Sequence, residues 1–116
     1  MRAINRTRDT VLIERGMIAA NMWARMRGLL GHPPLESGEG LVLQGEQAIH
    51  TFGMSFAIDV LFLDRAGRVI HLIQAMPPWR ASPILWQGRD VLELPAGKIT
   101  ATGTALGDQI EFEPSS

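Results

Sequence analysis

The sequence predicts a mainly β domain, a compact antiparallel sheet structure with one short helix near its N-terminus. Three observations predict it. Short β-branched and aromatic runs recur along the 116 residues, glycine and proline punctuate them, and only one stretch spaces its apolar residues as a helix does. A chain of this length is a single domain, residues 1–116, that buries roughly two-thirds of its unfolded surface without needing a staple.

Residues 3–15 read as one or two strands, clearest at Thr10, Val11, Leu12 and Ile13, and Gly16 is expected to end them. The helix follows over residues 21–30, with Asn21 as N-cap, Gly31 as stop and two prolines beyond. Met22, Met26, Leu29 and Leu30 form its buried stripe, flanked by Arg25 and Arg27, while Gly28 suggests close approach of another backbone. Residues 35–40 read as a polar turn and 41–43 as a short strand. From 47 to 52 the chain alternates, with Ala48, His50 and Phe52 on one side and Ile49 and Thr51 on the other. Gly53 allows a bend.

The densest apolar run, residues 56–63, is apolar at both odd and even positions, so it is a strand covered on both faces. Asp59 interrupts it. A buried carboxylate must find a cation, a set of N–H donors or a proton. Asp64-Arg65-Ala66-Gly67 reads as a type I turn with a glycine bulge, pairing Leu63 with Val69, Leu61 with His71 and Asp59 with Ile73. That register places His71 diagonal to Asp59. Pro77 and Pro78 then open a loop of roughly fourteen residues, long enough to suggest a functional role. Trp79 and Trp86 lie in it, either as plugs over a sheet edge or as a stacking platform. Residues 91–95 are a further strand stopped by Pro95, 100–104 a short helical or irregular passage, and 109–113 the last strand.

Composition narrows the function classes. With no cysteine there are no disulfides, thiolate nucleophiles or cysteine zinc sites. No run is long enough to span a membrane and the N-terminus lacks an apolar leader core, so a soluble cytoplasmic protein without membrane contact is expected. Residues 1–30 hold six arginines against Asp9 and Glu14, and the remainder is acidic. Without interleaved aromatics this reads as a solvated arginine face paired to that remainder, not as a nucleic-acid surface. No zincin, serine-hydrolase elbow or phosphate-loop signature occurs. His32, His50 and His71 share no short ligand spacing. A metal site would have to be assembled from His50, His71, Asp59 or Glu93, and neither metal nor cofactor is expected.

Arg25-Met-Arg27-Gly28-Leu29-Leu30-Gly31, Gly40-Leu41, His50-Thr51-Phe52-Gly53-Met54, residues 58–64, Leu92-Glu93-Leu94-Pro95-Ala96-Gly97 and Gly107-Asp108 stand in an ordered set. Over about residues 10–113 this set resembles the DUF192 family, domain of unknown function 192. The resemblance implies a jelly-roll or barrel-like β fold with a small helix near the start, and brings no activity with it. Arg27, Gly28, His50, Met54, Asp59, Glu93, Pro95 and Gly97 match the family pattern.

The favoured reading is a small soluble binding module for a polar small molecule or peptide. Its candidate residues are His50, Asp59, Arg27, Glu93, Met54 and Trp79, with Asp59 held by Arg27 or by backbone donors. An enzyme using Asp59 with His50 or His71 as an acid–base pair is the alternative. A structural or protein-interaction domain, with Asp59 and Arg27 as a buried ion pair, is the third.

Overall fold

The computed structural model describes residues 1–19 and 33–114. The helix expected over residues 21–30, with Arg25, Arg27 and Gly28, lies outside the described residues. The described strands are β1 (Arg2–Asn5), β2 (Thr10–Ile13), β3 (Arg15–Ala19), β4 (Glu39–Gln44), β5 (Ile58–Leu63), β6 (Val69–Met76), β7 (Asp90–Pro95) and β8 (Ile110–Glu113), with one short helix, α1 (Lys98–Thr102), between the last two.

They form two sheets. One has three antiparallel strands in the order β2-β1-β8, and the other has five in the order β3-β4-β7-β5-β6. The sheets do not close into a barrel, which corrects the barrel-like expectation. The large sheet is also not wholly antiparallel, because β3 and β4 run parallel. Gly16 lies inside β3 instead of ending a strand: a Cβ there would stand 2.8 Å from both the Ile13 side chain and the Met1 sulfur. The glycine therefore marks a close approach between strands, a role that looks the same as a turn in sequence.

Alternation along the strands gives the large sheet two apolar faces. Leu61, Leu63, Leu92 and Leu94 meet Ala3, Leu12, Ile13 and Ile110 of the small sheet and Ile99 of α1. On the opposite face Ile58, Val60, Phe62, Leu43 and Val91 meet Ile49, Met54 and Phe56 from the loop before β5. All six residues of β5 are buried, as a strand covered on both sides requires.

Three of the six N-terminal arginines find acidic partners at the small sheet. Arg6 bonds Glu111 and Glu113 at 2.9 and 2.8 Å, Arg2 bonds Glu113 at 3.2 Å, and Arg8 reaches Asp108 at 2.9 Å. Asp108 is nearly inaccessible and also accepts from the Asn5 side chain and the Ala105 N–H, both at 3.0 Å. Burial pushes its carboxyl up, but the hydrogen bonds from Arg8, Asn5 and Ala105, with the Arg8 charge, outweigh it and hold the group below its ordinary value.

The hairpin after β5 begins as expected. Asp64 Oδ1 accepts from the Ala66 and Arg68 N–H groups at 2.9 Å, and Leu63 pairs with Val69. A bulge then shifts the register, so that Phe62 faces His71, Leu61 faces Leu72 and Val60 faces Ile73. This corrects the expected pairs Leu61–His71 and Asp59–Ile73. The His71 ring lies 5.5 Å from that of Phe62, on the sheet face opposite Asp59.

Candidate functional site

Asp59 is 1 % exposed, and backbone donors satisfy it. Its Oδ1 accepts from the Ala75 N–H at 2.8 Å, and its Oδ2 accepts from the N–H groups of Gly97 at 3.1 Å and Ile99 at 2.8 Å. Each donor has a structural reason to need it. Ala75 stands in a second bulge of β6 with φ 48°, which turns its N–H out of the β5 ladder. Gly97 caps α1 at φ 97°, a conformation that favours glycine, and it has no side chain with which to cap its own helix. Asp59 supplies that cap from the neighbouring strand and ties β5, β6 and α1 together. Backbone N–H donors are one of the two arrangements expected for Asp59; the other, an ion pair with Arg27, falls on a residue outside the described ones. The expected pairing of Asp59 with His71 fails on the register.

On the opposite side of the large sheet, Thr51 organises a different structure. Its N–H donates to the Arg80 carbonyl at 2.8 Å, and its own carbonyl accepts from Trp79 and Met54 at 3.1 Å each. The fully buried hydroxyl accepts from the Arg80 N–H at 2.9 Å and donates to the Pro77 carbonyl at 2.7 Å. Ile49 and Ser82 exchange further bonds, so residues 49–51 pair with 80–82 around a bridge between His50 and Ala81. The prolines at 77 and 78, which exclude a continuing strand, make this clamp possible: the turn they impose carries carbonyls that Thr51 can reach.

Alternation then brings His50 and Phe52 to the outside. The His50 and Phe52 rings stack with centroids 4.8 Å apart and planes 23° apart, and Phe52 stacks with Trp79 at 6.2 Å and 26°. His50 Nδ1 accepts the Phe52 N–H at 3.2 Å, which fixes the ring against the loop. Phe52 is 43 % exposed and Trp79 65 %. Trp79 holds φ 64°, a left-handed backbone that is a genuine outlier for so bulky a residue.

The candidate residues therefore separate. His50 and Trp79 come together, joined by Phe52. Met54 is buried in the core cluster beneath their loop. Glu93 is fully buried on β7, on the face it shares with its register partners Val60 and Leu41. Asp59 points to the other face, and Arg27 lies outside the described residues. Neither tryptophan plugs a sheet edge, since Trp86 is 77 % exposed. Thr51 and Phe52 are the members that single-residue reading overlooks, although the alternation over 47–52 carries the signal for both.

No group of three or more histidine, aspartate or glutamate side chains among the described residues is placed to hold a metal ion. No helix among them is long and apolar enough to cross a membrane.

Two solved structures share the fold. A protein of unknown function from Novosphingobium aromaticivorans superposes with a TM-score of 0.79 at 18 % identity, covering 96 % of this chain and 82 % of its own. A protein from Sinorhizobium meliloti, named for a proposed role as a transcription regulator, gives 0.76 at 19 %, covering 95 % and 89 %. At the sequence level, a UPF0127 protein of Thermococcus sibiricus is 33 % identical over 114 residues, which is 95 % of this chain and 73 % of that one. The family model DUF192, described as an uncharacterized ACR, matches residues 3–112 and so takes in β1 as well as the ordered motifs. With nearly the whole chain matched by that model, the protein belongs to the DUF192 family.

Proposed function

We propose that this protein is a small binding module whose contact surface is the ladder of His50, Phe52 and Trp79, and that it takes a polar small molecule or peptide with a flat face. The observation that carries the reading is the stacking of three rings, at 4.8 and 6.2 Å, on a loop clamped from below by a buried threonine, with the half-buried His50 backing Phe52 and Trp79, which face solvent. Leaving an indole 65 % exposed at a left-handed backbone is unfavourable twice over, in hydration and in strain. Such strain persists where the surroundings over-determine it, and it clusters at ligand clamps. A preformed stacking surface also lowers the ordering cost of binding.

Two further observations support a binding module over the other classes. Both Asp59 oxygens accept buried backbone N–H bonds and the His71 ring lies on the opposite sheet face, which weighs against the carboxylate serving in an acid–base pair. Arg2, Arg6 and Arg8 are paired with Glu113, Glu111 and Asp108, so the basic N-terminal third offers no open phosphate-binding face among those residues.

The test is a thermal-shift and calorimetric screen with pyranose sugars and short proline-containing peptides, run on the wild type and on Phe52→Ala. A ligand at about a hundred times its dissociation constant adds roughly 2.7 kcal/mol. The expected result is a stabilising ligand whose affinity falls about tenfold in Phe52→Ala, in keeping with about 1–3 kcal/mol for a stacking contact. A ligand bound equally well by the variant would place the site elsewhere.

A further inference from the structure

A second surface stands apart from the ladder. The turn after β5 and the loop entering β7 form the two walls of a groove of about 570 Å³, lined by Asp64, Arg65, Gln47, Trp86 and Arg89 among others. Its volume falls within the roughly 300–1,000 Å³ of small-molecule clefts.

Three features of the groove point to one kind of ligand. The first is charge: Arg65 and Arg89 come from opposite walls, and neither guanidinium has an acceptor among the described residues, in contrast to Arg2, Arg6 and Arg8. The second is the indole of Trp86, 77 % exposed at the groove. The third is rigidity. Gln47 donates to the Trp86 carbonyl at 2.9 Å, the Leu85 N–H reaches the Gln47 carbonyl at 2.8 Å, and the Gly88 N–H returns to the Leu85 carbonyl at 2.7 Å. The Arg89 N–H bonds the Leu63 carbonyl at 2.7 Å, which anchors that wall to β5. The opposite wall is fixed by Asp64, whose Oδ1 is filled by two turn N–H groups.

We propose that this groove binds a small planar ring carrying a phosphate, of the class of a nucleoside monophosphate. Asp64 commits Oδ1 to its own turn, and Asp90, at the groove's edge, receives the Gly45 N–H at 3.4 Å. That leaves the two guanidiniums as the groove's open charges among the described residues. Two forks match a phosphate dianion better than a lone carboxylate, which one fork satisfies. The Trp86 face takes the ring. The site shares no lining residue with the His50–Phe52–Trp79 ladder: it uses a different tryptophan, at the far end of the same loop, together with the turn after β5.

The experiment is calorimetric titration at low salt with adenosine 5′-monophosphate, inorganic phosphate and adenosine as separate probes, on the wild type, Arg65→Gln, Arg89→Gln, Trp86→Ala and Trp79→Gly. The altered side chains are exposed, and an unchanged melting temperature certifies each fold. The proposal expects the nucleotide to bind at least about tenfold more tightly than either half of it. Arg65→Gln and Arg89→Gln should each weaken the nucleotide about tenfold, and Trp86→Ala should weaken nucleotide and adenosine but not phosphate. Trp79→Gly should leave all three unchanged. Nucleotide binding no tighter than phosphate, or absent altogether, overturns the proposal. So does binding that resists the arginine and Trp86 substitutions. Loss of the nucleotide in Trp79→Gly would move it to the ladder, which refutes the groove and leaves the ladder reading standing.

Discussion

At Asp59 the two carboxylate oxygens accept three backbone N–H groups inside the protein, whereas at His50, Phe52 and Trp79 three rings stack in a row and two of them, Phe52 and Trp79, face solvent. Both regions draw on one short stretch before and within β5, and both break its apolar pattern. The difference lies in spare capacity. A buried polar group surrounded by donors that would otherwise be orphaned is consumed by the fold, and a ligand could reach it only by unfolding something. An exposed ring on a clamped loop has a face still to be used. Being unusual in sequence is thus a weak sign of function. Being unusual and unconsumed is a stronger one.

The sharpest way to break this contrast is Asp59→Asn. The amide can accept on one side only and turns donors toward donors on the other, while Ala75, Gly97 and Ile99 keep their N–H groups buried. A loss of about 3 kcal/mol is expected, the upper end of what hydrogen bonds to a buried charged group contribute, read from denaturant unfolding. A change under 1 kcal/mol would mean that the carboxylate is not what holds β6 and α1, and would return it to the list of site residues.

Thr51→Val tests the other side of the comparison. Valine keeps the shape but loses the hydroxyl that joins Pro77 and Arg80, so about 1–3 kcal/mol should be lost. The effect should be smaller than that of Asp59→Asn and should come with weaker ligand binding, because the ladder loses its clamp. Equal stability with intact binding would show that the turn holds itself.

A smaller effect is expected from pH, at the polar cluster of the small sheet. Asp108 has a folded value below its ordinary 3.8, so its contribution is fully present above that value and is lost as the pH falls through the depressed one. Glu111, lowered by its hydrogen bond and charge contact with Arg6, works in the same direction. Unfolding followed from pH 5 downward should show stability falling in the wild type. Asp108→Asn, less stable at neutral pH, should fall less steeply over the same window. Parallel curves would assign the acid sensitivity elsewhere.

How far the sequence disclosed these regions depends on how local their causes are. Most of the strands, the Asp64 turn and the stop at Pro95 follow from alternation and from turn residues, which act within a few positions, and are found close to where expected, whereas β3 at Arg15–Ala19 is not among them. The register beyond Leu63 does not, because nothing at Ile70 or His71 marks the bulge that moves His71 to the far face. Gly16 misleads for a similar reason: its neighbour Met1 is distant in sequence. The partners of Asp59 at 75, 97 and 99 were equally out of view, although the need for partners was plain. At the site, His50 and Trp79 stand out by residue type. Phe52 and Thr51 matter only once the 77–80 turn is folded against them.

The smallest stability change carries the most weight. Trp79→Gly removes the indole and at the same time lets the backbone keep φ 64° without strain. If Trp79 were a plug, its loss would expose core and cost about 3 kcal/mol or more, as large-to-small changes at buried aromatics do. At 65 % exposure the indole covers little, and relief of a left-handed backbone is worth about 1 kcal/mol, set against the extra chain entropy of an unfolded glycine. The two nearly cancel, so stability should stay within about 0.5 kcal/mol of the wild type while binding to the ladder is lost. That pairing is what separates a surface kept for a ligand from one kept for the fold. A clear drop in stability would merge the two regions into one structural role.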